Sequence, residues 1–252
     1  MGNRSKVAAL RAPFQRGHYR AFAGMVLRYP NFAENLRRYL TAHGEYPYRC
    51  SVRTPVGLVA PTLYSSHDIS TVNEVFCRQD YRAGRDLGVT VDVGSNIGIS
   101  GLYFLTRNTT SRAYLFEPDP KNVERLKGNL AAYDGRFEVQ AVAVGLTNGE
   151  VSFGTEPTGR YGRISDDYGE VITVPCHAID EAIDQILERE GRIDVLKIDT
   201  EGIEEQLVAA IHPDILDRIS VIYYETSQPK PLHLDRFEHH YECQTNRLRA
   251  RG

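Results

Sequence analysis

The feature that most constrains the fold is a series of short apolar runs that alternate with helical stretches from Val89 onward. The apolar runs predict five strands, at residues 90–93, 113–116, 137–144, 194–198 and 220–224. Helices are predicted between them, at residues 99–105, 120–133, 179–190 and 204–211. This alternation is typical of a mostly parallel sheet whose crossover connections are helices. We therefore predict an α/β fold with helices on both faces of the sheet.

The region before this series has a different pattern. Apolar residues recur at steps of three and four over residues 19–43, which predicts one helix or a helix pair broken at Pro30. Segments 48–52 and 58–60 flank a turn at Pro55 and predict a β-hairpin, and residues 72–76 are predicted to be helical. We therefore predict an N-terminal cap at residues 1–85 and an α/β domain at residues 86–252.

Two further predictions concern hairpins within the α/β domain. Asn148-Gly149 is a residue pair that tight turns prefer, and it predicts a hairpin between residues 142–144 and 151–153. After Glu225 only one further strand is predicted, at residues 241–245. That leaves open how the edge of the sheet closes.

Composition excludes several classes of protein. A net charge of −3 argues against a nucleic-acid partner, because such binding requires clustered Lys and Arg to neutralise phosphates. Charge interrupts the first 17 residues before a signal-peptide core forms, and no run approaches the ~18 apolar residues of a transmembrane segment. The four cysteines form no CxxC pair, which suits a reducing compartment: they are Cys50, Cys77, Cys176 and Cys243. We expect a cytoplasmic protein.

The first motif is Asp92-Val-Gly94-Ser95-Asn96-Ile-Gly98, where a buried strand runs into a glycine turn and then a helix. Open α/β sheets bind ligands at this place. A dinucleotide site would need GxGxxG, whereas the spacing here is GxxxG. The Asp92 carboxylate would repel a phosphate but suits the methionyl ammonium of S-adenosylmethionine, whose carboxylate a helix N-terminus favours. The motif therefore predicts an S-adenosylmethionine site.

Glu117 ends the next predicted strand, twenty-five positions after Asp92. An acid at this distance is expected to accept hydrogen bonds from the two ribose hydroxyls. Pro118 stiffens the turn, and Pro120 is suited to begin the following helix. The alternative is that Glu117 is only a capping or exposed acid at a strand end.

The third motif, Lys197-Ile-Asp199-Thr-Glu201-Gly202-Ile-Glu204, places charges at alternate positions near the end of a strand. If the chain stays extended, Lys197, Asp199 and Glu201 share one face and converge on the ligand crevice. The alternative is a structural Lys–Asp ion pair beside an exposed helix acid.

Together the three motifs resemble the hallmark stretches of the FkbM methyltransferase family, and the likeness covers about residues 74–225. The resemblance implies a Rossmann-like class I sheet of seven mostly parallel strands that binds S-adenosylmethionine over the Asp92 loop. It also implies methylation of a hydroxyl on a sugar, glycolipid or macrolide-type natural product. By the same resemblance Ala141 and Val142 lie near adenine and Asp199 near the methyl group. Glu74 and Tyr81 are weaker candidates for cofactor contact.

An alcohol must lose its proton during methyl transfer, so a general base is expected. The candidates are Asp199, Glu201 and Glu225, with His177 less favoured; we favour Glu201, because Lys197 or the cofactor can engage Asp199. An alternative use of these three acids is to hold Mg²⁺, which takes oxygen ligands. His233, His239 and His240 lack a supporting ligand pattern and are interpreted as solvated.

Other functions stay open on the sequence alone. An N-methyltransferase acting on an amine or peptide would use the same cofactor, and an NAD-dependent oxidoreductase would share the crevice and the ribose acid. A non-catalytic binding module would not need the Asp199–Glu201 edge. The expected partners are a small-molecule or glycoconjugate acceptor and no nucleic acid, with a homodimer left open.

Overall fold

The computed structural model describes residues 16–155, 162–165 and 169–251, and these divide into two units, one ending at Arg82 and one beginning at Ala83. The start of the chain, interpreted above for a targeting signal, lies outside the described residues. None of the described helices is both long and apolar enough to cross a membrane.

The N-terminal unit begins with the predicted helix pair, α1 (Arg16–Arg28) and α2 (Phe32–Thr41), which are separated at Pro30. Ala42 ends α2 in the left-handed conformation, with φ of 54°. Four short strands follow, then a helix and a π-helix: β1 (Tyr48–Arg49), β2 (Val52–Thr54), β3 (Gly57–Val59), β4 (Thr62–Leu63), α3 (Asp68–Val72) and the π-helix Asn73–Arg78. Strands β2 and β3 form a hairpin around the predicted turn at Pro55, but its first strand is Val52–Thr54 and not residues 48–52, because β1 pairs with β4 instead.

The C-terminal unit begins with alternating strands and helices: β5 (Val89–Val93), α4 (Ile99–Leu105), β6 (Arg112–Phe116), α5 (Pro120–Leu130) and β7 (Phe137–Gln140). The Asp119 side chain accepts a hydrogen bond from the Lys121 amide at 2.9 Å, and Pro120 occupies the first turn, so α5 begins where the sequence predicts. The remaining elements are β8 (Ala143–Gly145), β9 (Gly149–Thr155), β10 (Arg163–Ile164), β11 (Glu170–Ala178), α6 (Ile179–Glu190), β12 (Ile193–Ile198), α7 (Glu204–Ala210), α8 (Pro213–Leu216), β13 (Ile219–Glu225), β14 (Phe237–Glu242) and β15 (Thr245–Ala250).

Seven of the described strands form the main sheet, in the order β14-β15-β13-β12-β5-β6-β7. The five strands from β13 to β7 are parallel to one another, and β15 runs antiparallel to both β13 and β14. The order reverses between β12 and β5, and open α/β sheets bind ligands at such a switch point. The predicted fold class is confirmed.

Side chains of β6 show that both faces of the sheet are covered. Tyr114 and Phe116 belong to a buried cluster with apolar residues of α6, α7 and α8. Leu115 points to the opposite face, where its methyl groups lie close to Gly101 of α4. The mainly apolar strands β5, β6 and β12 are therefore buried between two layers of helices.

The predicted hairpin at Asn148-Gly149 is wrong. Strand β11 lies between β8 and β9 in a separate four-stranded sheet of order β10-β9-β11-β8, and the predicted strand 137–144 is divided between the two sheets. The Asn148 side chain accepts from the Ala178 amide at 2.8 Å and donates to the Glu181 carboxylate at 2.5 Å. Asn148 thus holds the start of α6 instead of forming a two-residue turn.

The single strand predicted after Glu225 is also wrong, because two strands are present. Residues Cys243 and Gln244, in the middle of the predicted strand, have φ of 52° and 67° and form the turn between β14 and β15. Two consecutive left-handed residues match the twist of a tight antiparallel hairpin. The hairpin closes the edge of the sheet beyond β13.

Candidate active site

Asp92 lies near the carboxyl end of β5, and no part of it is exposed. One carboxylate oxygen accepts a hydrogen bond from Lys197 Nζ at 3.0 Å, and the other accepts from the Ser100 hydroxyl. Burial raises the pKa of Asp92, although Lys197 and Ser100 act in the opposite direction. In this structure both oxygens of Asp92 therefore bind partners within the chain, and its direct contact with a methionyl ammonium stays a prediction.

Lys197 connects the first motif to the third. Its ammonium also donates to the Gly94 carbonyl at 3.1 Å and lies 3.4 Å from an oxygen of Asp199. Burial acts to lower the pKa of Lys197, but the charges of Asp92 and Asp199 outweigh it and raise the pKa above its ordinary value. Lys197 is thus a buried cation shared by two acids on neighbouring strands.

The glycine loop after β5 is held against both neighbouring strands. The Gly94 and Ser95 amides donate to the Phe116 carbonyl, each at 3.0 Å. Gly94 has φ of 79°, and a Cβ there would lie 1.8 Å from the Asp199 carbonyl oxygen. Glycine is required for both reasons. Asn96 and Gly98 are also left-handed, and Gly98 immediately precedes α4.

Glu117 follows β6 and is 4 % exposed. Its carboxylate accepts from the Asn96 amide at 2.8 Å and the Asp119 amide at 3.0 Å, and the Asn122 side chain is 3.5 Å away. Burial raises the pKa of Glu117 to about 7, even though the two backbone donors favour the charged form. The following Pro118 is buried as well. The alternative that Glu117 is an exposed acid is wrong.

The loop after β12 differs from the extended path assumed in the sequence prediction. Strand β12 ends at Ile198 and Glu201 has φ of 59°, so Glu201 does not continue the face shared by Lys197 and Asp199. Asp199 is 29 % exposed at its side chain, and Glu201 is exposed.

Glu204 belongs to the third motif, but no role was assigned to it from the sequence. It is 7 % exposed, and its carboxylate accepts from the Thr200 amide at 2.8 Å and the Gly202 amide at 3.0 Å. These bonds hold the backbone on both sides of Glu201. The spacing of Glu204 from Thr200 is a detectable signal, because a carboxylate in the first turn of a helix often bonds the preceding amides.

The remaining predicted residues lie at several places. Ala141 and Val142 directly follow β7, beside the bond at 3.1 Å from the Glu117 amide to the Gln140 carbonyl. Glu225 ends β13, next to β12, and its charge contributes to the raised pKa of Lys197. Glu74, within the π-helix, and the buried Tyr81 belong to the N-terminal unit, and their cofactor contacts stay predictions.

Among the described residues, no group of three His, Cys, Asp or Glu side chains is arranged to hold a metal ion. His233 bonds the Val208 carbonyl at 2.8 Å, and His239 bonds the Asn246 side chain at 2.9 Å. His240 is largely exposed.

Comparison with known families identifies the family to which the chain belongs. The family model described as the methyltransferase FkbM domain matches residues 92–244, which is more than half of the chain. The chain belongs to the FkbM methyltransferase family. The chain therefore carries a methyltransferase domain, and family membership decides against the NAD-dependent oxidoreductase.

Individual relatives of this FkbM methyltransferase are distant. It is 37 % identical over 79 residues to the AMB antimetabolite synthetase AmbE of Pseudomonas aeruginosa, a match that covers 31 % of this chain and 4 % of that protein. An rRNA methylase from Streptococcus thermophilus matches 66 % of this chain and 89 % of its own, with 12 % identity and a TM-score of 0.40. A precorrin-6y C5,15-methyltransferase from Geobacter metallireducens matches 59 % of this chain and 58 % of its own, with 13 % identity and a TM-score of 0.34.

Proposed function

We propose that this FkbM methyltransferase is an O-methyltransferase that acts on a hydroxyl of a sugar, glycolipid or macrolide-type natural product. The observation that carries the proposal is the carboxylate-rich edge formed by Asp199, Glu201 and Glu225 at the ends of neighbouring strands. Carboxylate oxygens accept hydrogen bonds from hydroxyl groups and can take the proton that an alcohol must lose.

Glu201 is the proposed general base. A left-handed φ is unfavourable for a residue with a side chain, and such strain persists where the surroundings impose it. Here Glu204 imposes it through the Thr200 and Gly202 amides. An exposed carboxylate held in one backbone conformation is suited to meet an acceptor, whereas Asp199 is partly committed to Lys197.

The residues present fit the cofactor in their chemistry. Glu117 offers carboxylate oxygens to ribose hydroxyls, and the left-handed Gly94 and Gly98 let the backbone between them approach a ligand closely. When bound, S-adenosylmethionine supplies a methyl group on a sulfonium. With the cofactor in place, that methyl group would be available to the acceptor hydroxyl, and Glu201 would take the hydroxyl proton. Alignment by Asp199 and Glu225 lowers the barrier further.

The test is to incubate the protein with S-adenosylmethionine and a panel of glycosides, glycolipids, macrolides, amines and thiols. We expect mass spectrometry to show one added methyl on hydroxyl compounds and none after those hydroxyls are removed. Glu201→Gln should lower kcat about 100-fold or more while S-adenosylmethionine still binds. Glu205→Gln, which alters a neighbouring half-exposed acid paired with Lys230, is the matched control. Methylation confined to amines or thiols would contradict the proposal.

A further inference from the structure

Exposed apolar side chains are concentrated in the smaller, N-terminal unit. Among the described residues, eight large apolar side chains are exposed in this unit and three in the other: Tyr19, Phe22, Val26, Leu27, Tyr39, Leu40, Val56 and Leu58 against Leu146, Val171 and Leu234. Single exposed apolar residues are ordinary, but contiguous ones mark an interaction surface.

Helix α1 carries the centre of this surface. It buries Met25 and Tyr29, whereas Phe22 and Val26 on its outer side are 53 % and 50 % exposed and Leu27 is 72 % exposed. The sequence of α1, RGHYRAFAGMVLR, contains no acidic residue. A helix on the surface of a soluble domain usually turns polar residues outward. The outer side of α1 instead combines basic residues with apolar ones, and solvation does not favour the exposure of the apolar residues.

Contacts join this helix to its neighbours in the unit. The rings of Phe22 and Phe32 pack edge to face with centroids 5.7 Å apart, which connects α1 to α2. The Arg53 guanidinium donates to the Leu27 carbonyl at 3.4 Å, and Leu58 lies directly opposite Arg53 in the hairpin. We call the combined exposed surface, formed by Tyr19, Arg20, Phe22, Leu27, Arg53 and Leu58, the basic apolar surface.

The net charge of the N-terminal unit is opposite in sign to the net charge of the whole chain. Residues 1–82 contain 12 of the 30 Lys and Arg residues but 5 of the 33 Asp and Glu residues. The unit is therefore positive, although the chain has a net charge of −3. A surface with exposed aromatic and aliphatic side chains beside arginines matches the composition of helices that lie in the interface of an anionic membrane.

We propose that the basic apolar surface docks the protein on the headgroup region of a bilayer that contains anionic lipids. The apolar side chains would leave water at the headgroup boundary, and the arginines would remain near lipid phosphates. A nucleic acid would satisfy the charge but would not bury Leu27 and Leu58. The inference goes beyond the proposed function, because it does not depend on which acceptor is methylated.

The test is flotation of the full chain with vesicles of phosphatidylcholine alone or mixed with phosphatidylglycerol. We expect binding to the mixed vesicles only, weakened by salt. Leu27→Glu should lower the partition coefficient about tenfold or more, because it loses an apolar contact and adds a like charge. Leu234→Glu, at a leucine 49 % exposed in the other unit, is the matched control and should bind normally. Arg20→Gln should lower binding about fivefold.

Circular dichroism and S-adenosylmethionine binding establish that each variant is folded. Equal binding to neutral and anionic vesicles, or wild-type binding by Leu27→Glu, would overturn the proposal. A third result would also overturn it: the wild type does not bind vesicles but self-associates in sedimentation, and Leu27→Glu abolishes this self-association. That result would assign the surface to a second copy of the chain. Loss of vesicle binding in Leu27→Glu with S-adenosylmethionine binding intact supports the membrane assignment.

Discussion

Asp92 and Glu117 lie near the carboxyl ends of neighbouring parallel strands, and both are almost inaccessible to solvent, but the chain stabilises them differently. Asp92 is paired with the buried ammonium of Lys197, whereas the Glu117 carboxylate accepts hydrogen bonds from two backbone amides. The pKa of Glu117 rises to about 7. The difference indicates that Asp92 and Lys197 together organise the loop, whereas Glu117 is the buried acid whose pKa lies close to neutral pH.

The largest expected effect comes from removing the cation beside Asp92. Lys197→Met should lower the free energy of unfolding by about 3–5 kcal/mol, because it leaves a buried carboxylate without its counter-ion. Urea denaturation measures the loss. Arg189→Met, which removes an exposed cation 3.0 Å from Glu138, should cost less than about 1 kcal/mol.

A double variant tests whether the stability lost in Lys197→Met is caused by the unpaired charge of Asp92. Adding Asp92→Leu to Lys197→Met should recover much of the lost stability, since the fully buried carboxylate is then removed together with its cation, and Asp199 is 29 % exposed at its side chain. If Lys197→Met were as stable as the wild type, the organising role assigned to this pair would be wrong.

The next effect is a pH dependence specific to Glu117. Its pKa is raised from the ordinary 4.5 to about 7, so the stability it contributes is complete below pH 4.5 and is lost as the pH rises through about 7. Over this window the unfolded chain releases the proton first, and the free energy of unfolding should fall by on the order of 3 kcal/mol. Denaturation at a series of pH values measures this slope.

Glu117→Gln should remove the slope, because it carries no ionisable group. Glu150→Gln, which alters an exposed acid of β9, should retain it. Identical pH profiles for wild type and Glu117→Gln would show that folding does not raise the pKa of Glu117, and the contrast drawn with Asp92 would then be wrong.

Much of this arrangement follows from local sequence. Apolar runs predicted the strands that carry Asp92 and Glu117, because parallel strands buried on both faces must be apolar throughout. Helices α4 and α6 have the predicted bounds. The pairing of Lys197 with Asp92 spans 105 positions and depends on which strands are neighbours, which no local pattern contains.

The wrong predictions have physical causes as well. Cys243 and Gln244 adopt left-handed conformations although neither residue type favours them, so the turn between β14 and β15 gave no glycine or asparagine signal. Asn148, followed by Gly149, has the sequence of a tight turn, but its side chain forms hydrogen bonds at the start of α6. Glu201 follows an extended strand in sequence, yet Glu204 bends the backbone around it.

The last prediction concerns cofactor affinity, and it tests whether the loop between Asp92 and Glu117 couples these two acids. Gly94→Ala meets a left-handed φ and places a Cβ 1.8 Å from the Asp199 carbonyl, whereas Gly135→Ala meets a similar φ of 76° with nothing within 4 Å. Each should pay about 1–2 kcal/mol for its conformation, and Gly94→Ala about 1–3 kcal/mol more for the displaced backbone. Because the Gly94 and Ser95 amides bond Phe116, which precedes Glu117, this displacement should also weaken S-adenosylmethionine binding. Calorimetry of cofactor binding measures it; equal affinity in both variants would mean that the two acids act independently.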